Sequence, residues 1–555
     1  MHEKKFHIIL VKPTRYDDDG YPIHWLYGSI PSNSLACMYG IAMDCRDRHV
    51  LGNEVEIVIH AFDENNGALN CAKVISTIKK QGGHGLLALV GVQSNQFPRA
   101  LDLANRFVDE SIPVCIGGFH VSGCLAMFKE PTPELEIAMN DGISLFSGEA
   151  EESRFDQVII DAWNNKLKPI YNYTNILPGL DSQPLPYLSA ELIKNNLSMS
   201  SIDLGRGCPF ICSFCSIINV QGHKSRFRSV ADLERVVRFN HKIQIKNIFI
   251  TDDNFARNKN WEAFLDKLIE LRGEGLEMTY IIQVDTMCHR IPRFIDKAVK
   301  AGITHIFIGI ENINPENLAL VNKNQNKIIN YKQMLLAWKK YPVIILSSYI
   351  IGFANDTKDS ILRDIETIKR ELPIDFLNIS ILTPLPGSED HRKLVDEGVW
   401  MDSDLNKYDL THRVTHHPIM TDEEFDQVYE MAWNNYYSFE HMVVVLRRMF
   451  ALGSNKKLTT IEWLIKFGVV TRVHGIRSYD AGLLRRKNRK DRRPGLPLEN
   501  PLIFYIKYFF SSIIAASTIW WVYRRLLKKM RQILNDPEKI NYIDAAITPS
   551  LGTRG

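Results

Sequence analysis

Two series of short apolar runs, separated by stretches of helical length, constrain the fold of this chain most strongly. The first series comprises Phe6–Val11, Val55–His60, Leu86–Val92, Val114–Gly118 and Ile143–Phe146. Runs that are apolar throughout, rather than alternating with polar residues, are typical of strands buried on both faces of a parallel sheet. The sequence therefore predicts an N-terminal doubly wound α/β domain, whose ligands bind at the carboxyl ends of its strands.

A second series of strand and helix patterns runs from residue 201 to about residue 395. Its predicted strands are Ile248–Thr251, Tyr280–Val284, Ile306–Ile310, Ile344–Ile351 and Leu377–Leu382. Repeated βα units in this number predict a full or partial (β/α) barrel with its chemistry at the strand ends. Residues 421–450 are predicted to be helical and begin with the N-cap pattern Thr421-Asp-Glu-Glu.

Composition places the chain among ordinary globular proteins. Its 555 residues are 45% hydrophobic and 24% charged, which predicts two to four domains. The 67 Lys and Arg against 64 Asp and Glu leave a net charge of +3, so nothing indicates a nucleic-acid partner. Nine cysteines are too few for a disulfide scaffold, and the N-terminus has no apolar signal region, so we expect a cytoplasmic protein.

The C-terminal segment is both basic and aromatic. Arg485–Arg493 holds seven basic residues in nine positions, and Tyr508–Tyr523 is uncharged over sixteen. That apolar run is shorter than the roughly 20 residues of a spanning helix. One interpretation is a helix within 485–529 lying on the inner, anionic face of a membrane. The other is a helix packed on the protein body beside a solvated basic loop, and both stay open at this point.

The most specific motif is Gly207-Cys208-Pro-Phe-Ile-Cys212-Ser-Phe-Cys215. Three thiolates on one short loop are soft ligands suited to an iron–sulfur cluster. A closed zinc site would need a fourth ligand, and the next downstream candidate is His223. Three ligands on a four-iron cluster leave one iron open to a substrate or cofactor.

The spacing Cys-x3-Cys-x2-Cys, with Phe214 before the third cysteine, resembles the radical S-adenosylmethionine (SAM) superfamily. The resemblance implies a 4Fe-4S cluster held by Cys208, Cys212 and Cys215, whose open iron binds the amino and carboxylate groups of SAM. It also implies that the reduced cluster cleaves SAM to a 5′-deoxyadenosyl radical, which abstracts hydrogen from the substrate. The electron would come from a one-electron reductant such as flavodoxin or ferredoxin.

Polar residues at the predicted strand ends fit the same resemblance. The SAM-binding candidates that it implies are Phe214, Asp253, Gln283, Glu311 and Gly352. Each also has a structural interpretation. One of the two aspartates in Thr251-Asp-Asp-Asn-Phe255 would cap the following helix, and Gly352 would form a tight turn.

The N-terminal domain, together with Thr383–Gly387, looks like the radical SAM subgroup with a cobalamin-binding domain ahead of the barrel. The matching pieces are Val90–Ser94, Gly117–His120 and Ser147–Glu152, all at predicted strand ends. The cofactor-binding candidates in and around them are Ser94, Asn95, Gly117, Gly118, His120, Gly148 and Glu149.

One departure concerns the cobalt ligand. The Asp-x-His-x-x-Gly motif of other cobalamin domains is absent from this sequence, which implies cobalt without a protein histidine beneath it. His120 is a candidate substitute, although a histidine after a Gly-Gly turn more commonly makes loop hydrogen bonds. The alternative for the whole domain is a Rossmann-like unit used for substrate recognition or packing.

These interpretations combine into one predicted organisation. It consists of a Rossmann-like, cobalamin-binding-like α/β domain (1–176), a linker (177–200), a radical SAM barrel (201–400), a helical region (401–480) and a basic, amphipathic C-terminal segment (481–555). The predicted function is cobalamin-dependent methyl transfer to an unactivated carbon of a hydrophobic or lipid-like substrate. Cyclisation or rearrangement with the same cofactors is the first alternative, and an iron–sulfur and corrin sensor is the second.

Overall fold

The structure is a computed structural model that describes residues 4–28, 30–195, 199–453 and 457–548. Its elements form an N-terminal α/β unit, a second unit on another parallel sheet, and a helical C-terminal part. This architecture confirms the predicted α/β fold class.

The N-terminal unit is built on a six-stranded parallel sheet in the order β3-β1-β4-β5-β6-β7. Separate hydrophobic clusters pack on its two faces, one around Phe6 and Ile8 and the other around Ile9 and Val11, which explains why its strands are apolar throughout. The elements of this unit are β1 Lys4–Lys12, β2 His24–Tyr27, α1 Asn33–Asp47, β3 Val55–Asp63, α2 Cys71–Lys80, β4 Gly85–Leu89, α3 Phe97–Val108, β5 Val114–Gly117, α4 Phe119–Met127, α5 Pro133–Asn140, β6 Ser144–Ser147, α6 Arg154–Trp163 and β7 Ile170–Asn172.

The second unit is a partial barrel of six parallel strands in the order β8-β11-β12-β13-β14-β15. A separate antiparallel pair, β9 with β10, lies outside this sheet. The elements are α7 Ala190–Asn195, β8 Met199–Ile202, β9 Gly205–Arg206, α8 Ile217–Gln221, β10 Arg226–Phe227, α9 Val230–Lys242, β11 Asn247–Ile250, α10 Trp261–Gly273, β12 Thr279–Val284, α11 Phe294–Ala301, β13 Ile303–Glu311, α12 Pro315–Leu320, α13 Ile328–Lys339, β14 Ile344–Ile351, α14 Lys358–Glu371, β15 Phe376–Ile381 and α15 Glu389–Asp396.

The C-terminal part packs into the same hydrophobic core as the partial barrel. Its first helix begins with a capping box, in which the Glu424 amide donates to Thr421 Oγ1 (3.2 Å) and the Thr421 amide donates to Glu424 Oε2 (3.1 Å). The elements are α16 Asp422–Tyr436, α17 Phe439–Ala451, α18 Lys457–Ile465, a π-helical turn Lys466–Val470, α19 Thr471–His474, β16 Leu483–Arg486 and α20 Pro501–Leu534.

The basic segment at 485–493 is attached to the protein body. Strand β16 pairs antiparallel with β2, so residues 483–486 extend a part of the N-terminal unit. Arg485 pairs with Asp17 at 2.8 Å, and Arg493 pairs with Asp404 at 2.9 Å. The sequence predicts a solvated or membrane-bound loop here, whereas acidic partners on distant parts of the chain hold these charges.

Candidate functional site

The three-cysteine motif lies on the loop that joins β9 to β10. Strands β9 and β10 pair antiparallel, with Arg206 opposite Arg226, and this brings the two ends of the loop together. Gly207 has a φ of +93°, and a Cβ there would lie 2.6 Å from the Lys224 carbonyl oxygen. The Cys208 amide donates to the Gly222 carbonyl at 3.2 Å. The loop therefore needs glycine at 207 to close tightly before the first cysteine.

The three thiols lie close enough to interact electrostatically. Burial raises the pKa of Cys208, and it raises that of Cys215 to about 12. Negative charge on Cys212 would raise the pKa of both thiols further, whereas Lys323 opposes the shift in both. Neutral thiols in such a site ionise when they bind a metal, which is the behaviour expected of cluster ligands.

Lys323 joins two of the predicted SAM-binding residues. Its Nζ lies 2.9 Å from Glu311 Oε1 and 5.6 Å from the centre of the Phe214 ring. Glu311 also accepts a hydrogen bond from Ser348 Oγ (2.6 Å) and has a positive φ of 62°. Burial by itself would lower the pKa of Lys323, but the neighbouring Glu311 and Cys212 charges raise it above its usual value. A buried cation thus faces the cysteine loop, on a residue that the sequence motifs did not indicate.

The predicted helix cap after β11 is wrong, because Asn254 and Asn260 occupy the N-cap positions there and both aspartates accept from amides at the start of the cysteine loop instead. Asp252 Oδ1 accepts hydrogen bonds from the amides of Leu204 (2.7 Å) and Gly205 (2.8 Å), so it fixes the chain ahead of the cysteine loop. Asp253 Oδ2 accepts from the Gly207 amide at 3.0 Å, directly beside the first cysteine. Burial raises the pKa of Asp252 to about 7 and that of Asp253 to about 6. Contact of Asp253 with SAM stays a prediction.

Two further candidates at the strand ends make structural contacts. Gln283 Nε2 donates to the Asp252 carbonyl at 3.3 Å. Gly352 has a φ of +100°, its amide donates to Asp356 Oδ2 at 2.8 Å, and a Cβ would lie 2.9 Å from the Phe425 ring. A tight turn packed against α16 accounts for this glycine, while its contact with adenine stays a prediction.

A cavity of about 160 Å³ lies at the carboxyl ends of the strands of the N-terminal sheet. The predicted residues Gly117, Gly118, Gly148 and Glu149 line it. A Cβ at Gly118 would lie 2.1 Å from the Val92 amide nitrogen, so glycine lets the β4 and β5 loops meet. This is the edge of the sheet where doubly wound domains bind cofactors, and its glycines allow a ligand to approach the backbone closely.

Three other candidates lie beside this cavity without lining it. His120 is fully buried, with Nδ1 3.1 Å from Ser94 Oγ and Nε2 3.5 Å from Glu134 Oε1. Its side chain therefore contacts α5 and the loop after β4, and the structure does not bring it to the cavity lining as a cobalt ligand. Asn95 is also buried, and among the described residues neither atom of its side-chain amide has a hydrogen-bond partner. An unpaired buried amide at this edge fits a polar ligand group.

A group of buried charges connects the cavity to the cysteine loop, and we call it the bridging ion cluster: Asp203, Glu149, Glu151, Arg206 and Arg226. Arg206 contacts Glu149 (2.6 Å), Glu151 (2.6 Å) and Asp203 (2.8 Å). Arg226 contacts both carboxylate oxygens of Glu149, one of them at 2.9 Å. The two arginines flank the cysteine loop, so the N-terminal unit holds both ends of that loop. Sequence reasoning assigned Glu149 to a cofactor and missed the arginines.

Comparison with known proteins agrees with this arrangement. Residues 202–368 match the model of the radical SAM superfamily. Bacteriochlorophyllide d C-12(1)-methyltransferase of Chlorobaculum tepidum is 27% identical over 337 residues, which cover 60% of this chain and 70% of that protein. Hopanoid C-2 methylase of Rhodopseudomonas palustris is 22% identical over 331 residues, covering 58% of this chain and 59% of that protein.

Solved structures superpose on most of this chain. The radical SAM methyltransferase TsrM of Kitasatospora setae, solved with cobalamin and a [4Fe-4S] cluster, superposes with a TM-score of 0.54 at 12% identity, covering 83% of this chain and 95% of that one. The cobalamin-dependent radical SAM enzyme OxsB, solved with aqua-cobalamin and SAM, gives a TM-score of 0.54 at 13% identity, covering 97% and 81%. The predicted resemblance is confirmed: residues 202–368 match the radical SAM superfamily, and the chain shares the fold of solved cobalamin-dependent radical SAM enzymes.

Proposed function

We propose that this protein is a cobalamin-dependent radical SAM enzyme that transfers a methyl group to an unactivated carbon of a hydrophobic or lipid-like substrate. Cys208, Cys212 and Cys215 would hold the 4Fe-4S cluster, with SAM beside Phe214, Asp253 and Glu311. When bound, the cluster supplies the electron that cleaves SAM, and cobalamin supplies the methyl group. The residues of the chain position these groups and keep water away from the radical.

The bridging ion cluster is the observation that carries this proposal. Glu149 lines the cavity of the N-terminal unit, and it also binds Arg206 and Arg226 at the two ends of the cysteine loop. The two predicted cofactor sites are therefore neighbours joined by buried ion pairs. A methyl donor and a radical generator that act on one substrate carbon need this proximity.

The names of similar proteins favour methylation over cyclisation as the reaction. The relatives described above are named as methyltransferases of a chlorophyllide and of a hopanoid, both large apolar molecules. A cyclase is also among the similar proteins: anaerobic magnesium-protoporphyrin IX monomethyl ester cyclase of Rubrivivax gelatinosus is 26% identical over 260 residues, covering 44% of this chain and 43% of that one. Cyclisation is thus the second candidate.

Product analysis separates the candidates. The full chain is reconstituted anaerobically with iron, sulfide and cobalamin, and supplied with a chemical reductant, methyl-labelled SAM and a lipid extract of its host. A methyltransferase forms 5′-deoxyadenosine and S-adenosylhomocysteine together and leaves the label in a lipid. A cyclase forms 5′-deoxyadenosine without labelled lipid. If neither nucleoside is formed, the enzyme proposal is wrong, and a sensor role gains support.

A membrane surface is the partner that we propose for helix α20. Its exposed apolar residues face away from the body of the protein, and its length and composition alone would allow it to cross a bilayer. The most exposed are Leu502, Tyr505, Phe509, Phe510, Ile514, Trp520 and Trp521. An unpartnered patch of this kind marks an interaction site, and aromatic side chains beside Arg524 and Arg525 favour an anionic lipid surface.

Contacts along the helix favour a position in the plane of the interface. Near its start Phe504 packs on Tyr21 (5.3 Å between ring centres), and the Tyr508 hydroxyl donates to the Arg485 carbonyl at 3.0 Å. Further along, Ala515 and Leu526 are buried. Since one stripe touches the protein along the whole helix, the opposite face is free to enter the headgroup region. Cosedimentation with anionic and with neutral vesicles tests this placement.

A further inference from the structure

The concave side of the partial barrel is open in front of three strands. Along β11, β12 and β13, buried residues alternate with half-buried ones. Successive side chains of a strand point to opposite faces, so the half-buried set faces the inside of the barrel, which we call the lumen. Strand β15 is buried along its whole length, and β14 nearly so, because C-terminal helices cover them. The half-buried residues in the middle of the open strands are Phe249, Ile281, Gln283 and Phe307.

The C-terminal part of the chain forms the opposite wall of this lumen. Trp463 stacks on His305 of β13, with ring centres 5.2 Å apart, and also packs on Phe376 of β15 at 5.7 Å. Tyr479 meets the inward-facing Phe307 edge to face at 6.4 Å. The π-helical turn and the segment that follows it are therefore seated inside the barrel.

Lys466, the first residue of the π-helical turn, is an unpaired cation in this wall. Its Nζ lies 5.6 Å from the centre of the Trp463 ring. Within the described ranges it has no hydrogen bond or ion pair, in contrast to the buried Lys323 with Glu311 and Lys339 with Asp375. π-helical turns are frequent at functional sites.

The surroundings of Lys466 leave this cation half-buried. Burial lowers its pKa to about 8, and Asp480 is the charge that opposes the shift. Asp480 is itself held by Arg15 at 3.1 Å and Arg477 at 2.6 Å. Lys466 nevertheless keeps part of its surface accessible, as does Tyr479. Both side chains are therefore accessible to small molecules beside the inward-facing Phe307.

We infer that the substrate carries a carboxylate that pairs with Lys466, while its apolar body lies along Ile281 and Phe307. The assignment rests on the proposed function, because it takes the lumen to be the substrate site. Tyr479 supplies a phenolic hydroxyl on the same wall. One ammonium and one hydroxyl can stabilise a single negative charge. A phosphate dianion would carry one charge more than Lys466 can neutralise, and it would be repelled by Asp480. The substrate class is therefore a large apolar acid.

A matched pair of probes tests the inference. Binding of 1-pyrenebutyrate and of its methyl ester to the full, reconstituted chain is followed by fluorescence titration at neutral pH. We expect the acid to bind the wild type at least tenfold more tightly than the ester. Lys466→Met should remove this preference without weakening the ester, and Lys466→Arg should keep it. Lys507→Met, which alters an exposed lysine of α20, should also keep it.

The outcomes distinguish this inference from the proposed function. Equal binding of the two probes by the wild type, no binding of either, or an unchanged preference in Lys466→Met would overturn the role of Lys466. Circular dichroism checks that each variant is folded, and the Arg variant provides a second test if the Met variant is not. Formation of 5′-deoxyadenosine is measured separately. Its absence would refute the enzyme proposal while leaving an observed preference for the acid intact.

Discussion

The bridging ion cluster and helix α20 depart from ordinary burial in opposite directions. In the first, Glu149, Glu151 and Asp203 are withdrawn from water together with Arg206. In the second, large apolar side chains remain exposed, with Phe509 at 60% and Ile514 at 62%. Charged groups are almost never fully buried unless paired, and contiguous apolar patches on monomers are small.

The difference between the two regions indicates what each is for. Buried ion pairs add little net stability, because desolvation offsets much of their attraction, but they fix geometry and are costly to break. The cluster therefore orients the cysteine loop relative to the N-terminal cavity. An exposed apolar face, in contrast, gains free energy only when something covers it. The charges of the first region are paired within this chain, whereas the second region presents uncovered apolar surface, for which we propose a membrane.

Loss of a cluster ligand should give the largest effect. Cys212→Ala leaves two thiols for the cluster, so we expect the absorbance of the cluster and the formation of 5′-deoxyadenosine to fall to background. Cys288→Ala is the matched control, since this buried cysteine contacts the Trp338 indole (3.4 Å) and has no ligand spacing. Retention of a normal cluster by Cys212→Ala would contradict the assignment.

Breaking the bridging ion cluster should have the next largest effect. Arg206→Met leaves three buried carboxylates without their shared partner, which costs about 3–5 kcal/mol of unfolding free energy. Urea denaturation measures the loss, and iron content reports on the cysteine loop. Arg238→Met removes an exposed arginine that also bridges two carboxylates, Glu234 and Glu274, and should leave the transition midpoint unchanged. Equal midpoints for both variants would contradict an orienting role for the cluster.

Removing the apolar face of α20 should act on membrane binding and not on stability. In the triple variant Phe509→Gln, Phe510→Gln, Ile514→Gln, each change removes about 1 kcal/mol of partial insertion, so we expect about a hundredfold weaker vesicle binding. The urea midpoint should stay the same, because these side chains are exposed in the protein.

A control triple variant replaces three exposed apolar residues elsewhere by Gln. Ile137, Leu320 and Ile329 are exposed at 57%, 57% and 89%, and they lie outside α20. Their replacement by Gln should leave vesicle binding at the wild-type level. Similar losses in both triple variants would show that α20 is not the contact surface.

The smallest expected effect is on vesicle binding, and it compares the basic residues of α20 with the basic segment at 485–493. Arg524 stacks on Trp520 at 5.1 Å, and Arg525 lies between Trp521 (4.3 Å) and Phe439 of α17 (3.8 Å), with both arginines exposed. Their joint replacement by Gln should weaken binding to anionic vesicles about tenfold, at roughly 1 kcal/mol per charge or less, and leave binding to neutral vesicles unchanged.

The basic segment at 485–493 provides the comparison for that double variant. Arg489 donates to the Glu499 carbonyl at 2.9 Å, and Arg492 donates to the Asp19 carbonyl at 3.0 Å. Because both arginines are held by the protein, Arg489→Gln with Arg492→Gln should change vesicle binding less than twofold. A larger loss than in the Arg524 and Arg525 variant would reverse our interpretation of the two segments.

Much of the fold could be predicted, because the pattern of apolar residues over a few neighbouring positions identifies a strand or a helix. The run Ile344–Ile351 is a strand over the predicted residues, since continuous apolar runs suit strands covered on both faces. The short strands β2, β7, β8, β9, β10 and β16 were missed. The pair β9 and β10 has only two residues in each strand, and β16 consists of Leu-Leu-Arg-Arg, which has no strand periodicity.

Only part of the candidate site could be predicted. The cysteine spacing is local, so it identifies a cluster motif without any knowledge of the fold. No local motif marks Lys323. Its place in the site depends on its contacts with Glu311, twelve residues earlier, and with Phe214 on the cysteine loop. His120 was a reasonable candidate from its Gly-Gly turn, but its orientation depends on Ser94 and Glu134.

By itself, the sequence determined the two parallel sheets, the cysteine loop and the presence of an aromatic, basic C-terminus, because each depends on the spacing of neighbouring residues. Tertiary structure decided which charges are paired and which surfaces are covered. Glu149 pairs with Arg206 and Arg226, which lie 57 and 77 residues later in the sequence. Asp17 pairs with Arg485, which lies 468 residues later. Such contacts depend on how distant segments pack, so no local pattern encodes them. The same packing buried one stripe of α20 and left its apolar face exposed.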